Sequence, residues 1–242
     1  MSPTNGLIGE AWELYKAHWR HFLTLSFFVY LAVAIISALL SAALTWFGVL
    51  LGVLISLVAL FWLEAALVKA VDDVRDGRAD LSLSETFATA REHLSSVVVA
   101  GVIAGVAIFM GLLLLVVPGL LLMTWFAVIV PAIVLENLSA GESFGRSREL
   151  VRGYGWRVFG VILLVILLLI GFYLVLSILL LPVADWLRGF VSGIVSGTLT
   201  APFVAIVLTL LYFRLKAAKE PAAAPAEPTP APEPEPPPAP SV

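Results

Sequence analysis

The sequence has no cysteine and only three histidines. Without thiols there is no disulfide framework, no thiolate metal site and no cysteine nucleophile. His18 and His21 lie three apart and His93 stands alone, a distribution that ordinary interfacial histidines also produce, so no metal site is expected. No P-loop, G-x-S-x-G or H-E-x-x-H occurs, and no polar stretch approaches the roughly 250 residues of a catalytic barrel. Charge is scarce too, at 13% of 242 residues, where soluble domains carry roughly 25%. What remains is 61% hydrophobic with mean hydropathy +1.04, a composition that needs lipid as its solvent. The net charge of -3 comes partly from an acidic C-terminal tail and points to no nucleic acid.

A pattern used three times organises the rest. Residues 142–157 read ESFGRSRELVRGYGWR between two long apolar runs. Glu142, Phe144 and Arg148 recur at the same spacing as Glu85, Phe87 and Arg91 and, with an aromatic swap, as Glu10, Trp12 and Lys16. Copies two and three align at an offset of 57 residues, and duplication is the simplest account. Both carry a capping box, Ser82-x-x-Glu85 and Ser139-x-x-Glu142, in which serine and glutamate each satisfy an unpaired backbone amide. Their apolar faces are Leu83, Phe87, Ala90 and Leu94, and Ala140, Phe144, Ser147 and Val151. In the first copy Ile8, Trp12, Tyr15 and Trp19 share one helical face, with Glu10, Glu13 and Lys16 toward the other. This segment is no cleavable signal; an interfacial helix lying flat among headgroups is expected.

Each copy leads into a pair of apolar runs: 22–43 and 46–68, 97–117 and 120–135, 158–181 and 191–213. About 20 residues cross a ~30 Å hydrocarbon core. The pairs read as hairpins, the second turning at Pro118-Gly119. Gly48 with Gly52, and Gly101 with Gly105, form GxxxG faces for close helix approach. Pro131 and Pro202 each predict a kink in a returning helix. Residues 71–80 read as a hydrophilic loop and 182–190 as a longer connection. The expected fold is therefore all-α: a polytopic integral membrane protein of six transmembrane helices in three hairpins, each preceded by a cytoplasmic amphipathic interfacial helix. A membrane domain covers 1–216, with repeats at about 6–71, 82–135 and 139–216. Residues 217–242, rich in proline, alanine and glutamate, are expected to form a disordered tail.

Of the fourteen lysines and arginines, only Arg188 falls on the side opposite the three amphipathic elbows. Basic residues in short loops stay in the cytoplasm. Both termini and all three elbows are accordingly placed there, in a cell membrane.

The run PAIVLE at 131–136, then Ser143-Phe144, RSRELVRG at 146–153 and WRVFG at 156–160 resemble the family called the membrane domain of glycerophosphoryl diester phosphodiesterase. A weaker similarity reaches the N-terminal AWELYKAHWRHF, so the resemblance covers most of 6–216. It implies a membrane part that is sometimes fused to a soluble phosphodiesterase barrel and often stands alone in bacteria without an assigned activity. No catalytic residue carries over, and the barrel is missing here.

The candidate functional residues are polar groups beside the spans. Arg91, Arg146, Arg148, Arg152 and Arg157 suit anionic headgroups or a protein partner. Guanidinium groups grip phosphate as a fork, and juxtamembrane basic charge attracts anionic lipid by about 1 kcal/mol per residue. The same charges also serve insertion, and Glu142 with Arg146 and Glu149 with Arg152 have the spacing of intrahelical pairs. Glu64 and Glu136 are candidate intramembrane or interfacial acids, although snorkelling or pairing with an elbow arginine accounts for Glu64 equally. No cofactor is expected; membrane lipids are the expected partners, with a protein docking on the elbows or tail as a further reading. Together these features favour a non-enzymatic lipid-interacting or accessory scaffold. A transporter of a small neutral or lipidic solute is the alternative, resting on mid-span hydroxyls such as Ser37, Ser56, Thr124, Ser177, Thr198 and Thr200. A membrane-embedded lipid enzyme would need a nucleophile or metal cluster that the sequence lacks.

Overall fold

In hydrocarbon every backbone amide must be satisfied within the chain, which makes helices of the apolar runs. A computed structural model describes residues 3–75 and 81–220, without the side chains of Asp185 and Trp186. The described residues form α1 (Leu7–Ala17), α2 (Trp19–Arg75), α3 (Leu83–Leu114), α4 (Val116–Trp125), α5 (Ile129–Glu136), α6 (Ala140–Val151), α7 (Gly155–Leu179) and α8 (Asp185–Lys219), with no strand among them. Five segments are long and apolar enough to cross a membrane: Trp19–Arg75, Leu83–Leu114, Val116–Glu136, Gly155–Leu179 and Leu187–Lys219. By these helices the chain is a membrane protein. Residues 217–219 of the expected tail instead end α8, and from residue 221 on the tail lies outside the described residues, as do 76–80 of the loop; 71–75 of that loop complete α2.

The first segment is interrupted. Thr45 takes φ 50° and ψ -125°, a non-helical conformation that a β-branched residue rarely adopts. A Cβ on Gly48 would strike the Leu40 carbonyl, and one on Gly52 would meet Ser37 at 3.3 Å. These partners converge on Thr45, so the two arms of α2 run back along each other. The Gly48/Gly52 face thus admits a close backbone approach, and the helix it receives is the first arm of α2.

Between α3 and α4 the chain turns at Leu115, extended at φ -158° and ψ 139°, and not at Pro118-Gly119 as expected. Pro118 sits in the first turn of α4, where an amide has no intrahelical acceptor and its loss costs nothing. Gly119 instead lets α4 lie against Gly111, whose Cβ would fall 2.9 Å from the Gly119 Cα. Pro131 does interrupt its span, dividing it into α4 and α5 with a turn at 126–128, whereas Pro202 is carried inside α8.

Both capping boxes form, Ser82 with Glu85 and Ser139 with Glu142. The elbows they open are not alike. The second runs without interruption into its span as α3, while α6 ends at Val151 and Gly153, with φ 89°, turns the chain. Ser96 stands at that position in copy two, and a residue with a Cβ does not favour the left-handed conformation. The first elbow packs against α8. Arg214 reaches the Glu10 carboxylate and the Asn5 carbonyl, while the Tyr15 hydroxyl donates to Leu199 O at 3.2 Å. Leu199 and Arg214 are separated by about 22 Å along a helix, so α1 runs antiparallel beside α8. Its protein-facing residues are Leu7, Ala11 and Tyr15; Trp12 and Trp19 remain about half exposed, positions suited to lipid. The expected apolar face thus divides between protein and bilayer.

The core lies at the elbow end. Leu7, Phe22, Leu67, Leu150, Ile206 and Leu211 are fully or almost fully buried there. At the far end Leu113 to Val117 are 62–79% exposed, which lipid tolerates because it is as apolar as leucine. Association must then come from close packing. The α2–α3 contact is alanine-rich, with Ala65, Ala66, Ala90 and Ala100 all at 0% exposure. Rings also sit over glycines: Phe61 on Gly101 in the same contact, and Tyr30 on Gly197 between α2 and α8.

Candidate functional site

Glu136 ends α5 and joins three elements. It accepts Arg146 Nε at 2.8 Å and Nη2 at 2.9 Å from α6, and Lys216 Nζ at 2.9 Å and the Tyr212 hydroxyl from α8. Arg146 also reaches Glu220 at 2.6 Å and Glu149 at 3.4 Å. The bidentate geometry satisfies both carboxylate oxygens. Hydrogen bonding to Glu136 raises the Arg146 guanidinium further above its ordinary range. The intrahelical partner expected for Arg146 is engaged elsewhere: the Ser139 hydroxyl and amide donate to Glu142 and hold its carboxyl below the usual carboxylate range.

The remaining elbow arginines face outward. Arg148 lies 4.4 Å over the Trp125 ring, a cation–π contact, and Arg157 lies 5.9 Å over Tyr154. Arg91 and Arg152 are exposed and make no hydrogen bond or ion pair among the described residues; the expected Glu149–Arg152 pair is absent because Glu149 turns to Arg146. Three recesses meet at Trp125. One, of about 610 Å³, is lined by Arg148, Glu149, Arg152, Gly153 and Gly155. A second, of about 760 Å³, continues between α4 and α7 past Leu120, Leu121, Thr124, Trp156, Arg157 and Phe159. The third, about 380 Å³, lies against Ile103, Ala107 and Phe126 on the α3 side.

Local structure explains how the arginines reach this place. The helix breaks at 126–128, just ahead of Pro131, whose ring and missing amide oppose continuation, and the break leaves polar groups at Trp125 and Val128. Ser147 fills it, donating to Trp125 O at 2.7 Å and accepting from Val128 N at 3.3 Å. This seats α6 antiparallel to α5. Its Arg148 and Arg152 end thereby lies near Trp125, eleven residues before Glu136, or about 16 Å along a helix.

The structure therefore brings Arg148, Arg152 and Arg157 to one groove, gives Arg146 and Glu136 to each other, and leaves Arg91 apart on α3. Glu64 is half-buried on α2 among Leu63 and residues 65–68. It has no hydrogen bond or ion pair among the described residues, and Tyr30 is near enough to interact with it electrostatically. Sequence reasoning missed Tyr212, Lys216, Ser147 and Trp125. Tyr212 and Lys216 are four apart near the end of an apolar run, a legible cytoplasmic pair; nothing in the sequence links them to Glu136. No three His, Asp or Glu converge on one metal-sized site among the described residues. No protein-family model, curated protein or solved structure matches the chain.

Proposed function

We propose that this chain is a non-enzymatic integral membrane protein that crosses the cytoplasmic membrane six times, as three hairpins, and works as a lipid-interacting or accessory scaffold. The observation carrying this reading is the division of labour among the elbow arginines. Arg146 is consumed by an internal carboxylate, whereas Arg148, Arg152 and Arg157 face a groove whose one acidic lining residue among the described residues is Glu149. Guanidinium charge held beside apolar spans without acidic partners is matched by an anion, and in a bilayer the abundant anions are headgroup phosphates. The resemblance to the phosphodiesterase membrane domain agrees with this reading in bringing no catalytic residue with it.

Native mass spectrometry of the protein extracted in polymer nanodiscs tests the proposal. Wild type should carry anionic lipid enriched over the bulk membrane, and Arg148→Gln/Arg152→Gln/Arg157→Gln should return to bulk composition. Arg146 is left intact because its replacement disturbs the Glu136 junction. Bulk composition in the wild type would overturn the lipid reading and turn attention to a co-purifying protein.

A further inference from the structure

The three elbow aromatics that align in sequence make the same kind of contact. Trp12 meets Phe203 of α8 with ring centroids 6.3 Å apart, Phe87 meets Trp62 of α2 at 5.1 Å, and Phe144 meets Phe126 at 5.0 Å. Each elbow thus leans on the returning arm of the hairpin before it, the first elbow on the last. Three seams result, each between a returning arm and the next outgoing arm. Two are closed by a ring over a glycine, Tyr30 on Gly197 and Phe61 on Gly101. The third, between α4 and α7, has no such plug. Gly153, Gly155 and Gly160 find nothing within 4 Å of a built Cβ, and the 760 Å³ recess occupies the gap.

That recess is amphiphilic along its length. At its elbow end stands Arg157, and the adjoining 610 Å³ recess, which shares Trp125, Gly153 and Gly155 with it, adds Arg148 and Arg152; guanidinium groups grip a phosphate as a fork. Away from them the walls are Val117, Leu120, Leu121 and Phe159. A free phosphate would use only the first part and a hydrocarbon only the second. The volume falls within the ~300–1,000 Å³ range of small-molecule sites.

We propose that the open α4–α7 seam holds one anionic glycerophospholipid, its phosphate on Arg152, Arg157 and Arg148 and an acyl chain along Leu121 and Phe159. The lipid fills the place that a ring fills in the other two seams. This rests on the headgroup reading above but is narrower: it assigns one molecule to one cleft, where a general basic belt would gather anionic lipid without a fixed position.

Because the chain has no cysteine, the cleft can be blocked after folding. Leu121→Cys is purified in nanodiscs containing phosphatidylglycerol and phosphatidylethanolamine, then left unlabelled, capped with N-ethylmaleimide, or modified with a bulky pyrene maleimide. Native mass spectrometry reads the lipid retained as collision energy rises. The unlabelled protein should keep one phosphatidylglycerol to the highest energies, and the pyrene adduct should lose that species at least tenfold with all arginines intact. The same label on Leu54→Cys, an exposed site on α2, should leave it in place. If the pyrene adduct at 121 retains the lipid while the triple arginine variant loses it, the cleft proposal falls and the headgroup reading stands. If wild type holds no phosphatidylglycerol above bulk, both fall. Equal loss from both labelled sites would overturn the cleft assignment, since any bulky group would then suffice.

Discussion

Glu136 closes an apolar span, where a carboxylate is costly unless its charge is met. Arg146, Lys216 and Tyr212 meet it from two other helices, so one side chain fixes the mutual position of α5, α6 and α8. Glu136→Gln keeps the shape and removes the charge, leaving two cations against a neutral amide. Breaking a buried pair typically costs ~3–5 kcal/mol. Here Arg146 retains 17% exposure and Lys216 37%, so solvent compensates in part and a loss of about 2 kcal/mol is expected. Reversible unfolding of the variant in mixed micelles measures it, and Arg146→Gln in the Glu136→Gln background should add much less than Arg146→Gln alone. Additive losses would show that the two residues do not act through each other.

At the scale of elements, the breaks do as much as the helices. Pro131 interrupts the fourth apolar run, and the buried hydroxyl of Ser147 supplies the missing partners; the elbow is thereby pinned to the span. Ser147→Ala leaves the Trp125 carbonyl and the Val128 amide without this partner at a largely buried site, at a cost of about 1–3 kcal/mol. Hydrogen exchange should quicken first at 125–130, before α7 or α8 responds; unchanged exchange there would show that the hydroxyl is dispensable. Pro131, both capping boxes and the apolar runs were legible because each is local: a proline lacks an amide wherever it stands, and S-x-x-E closes on itself. The turn at Leu115 was not legible, because proline and glycine signal a turn most strongly in water, whereas in α4 one serves as a first-turn residue and the other as a packing surface. The long-range partner of Arg146 was hidden for a related reason. The i, i+4 spacing to Glu142 is real, but that carboxylate has a nearer use in the capping box. The groove depends on which seam lacks a ring, and that follows from helix packing rather than from any one stretch of sequence.

The architecture of the whole molecule turns on whether α2 counts as one crossing or two. A continuous helix over its 57 residues would be about 85 Å long, against a hydrocarbon core of ~30 Å. Thr45 breaks it near the middle, and the contacts of Gly48 and Gly52 bring the arms together. Two crossings follow on this reading, giving six in all and returning α8 to the side of α1, where Arg214 reaches Glu10 and Asn5. One crossing would put α1 and α6 on opposite faces, with α1 unable to touch α8 as it does. Single cysteines decide between them. With six crossings, Gly9→Cys, Gly141→Cys and Lys219→Cys should resist an impermeant maleimide in intact cells and react after permeabilisation, while Ala184→Cys reacts in both. The positive-inside distribution sets the sign of that result, since Arg188, close to Ala184, is the one basic residue on its side. If Gly9→Cys is labelled in intact cells while Gly141→Cys is protected, α2 crosses once and the arrangement of three hairpins is lost, together with the three seams drawn from it.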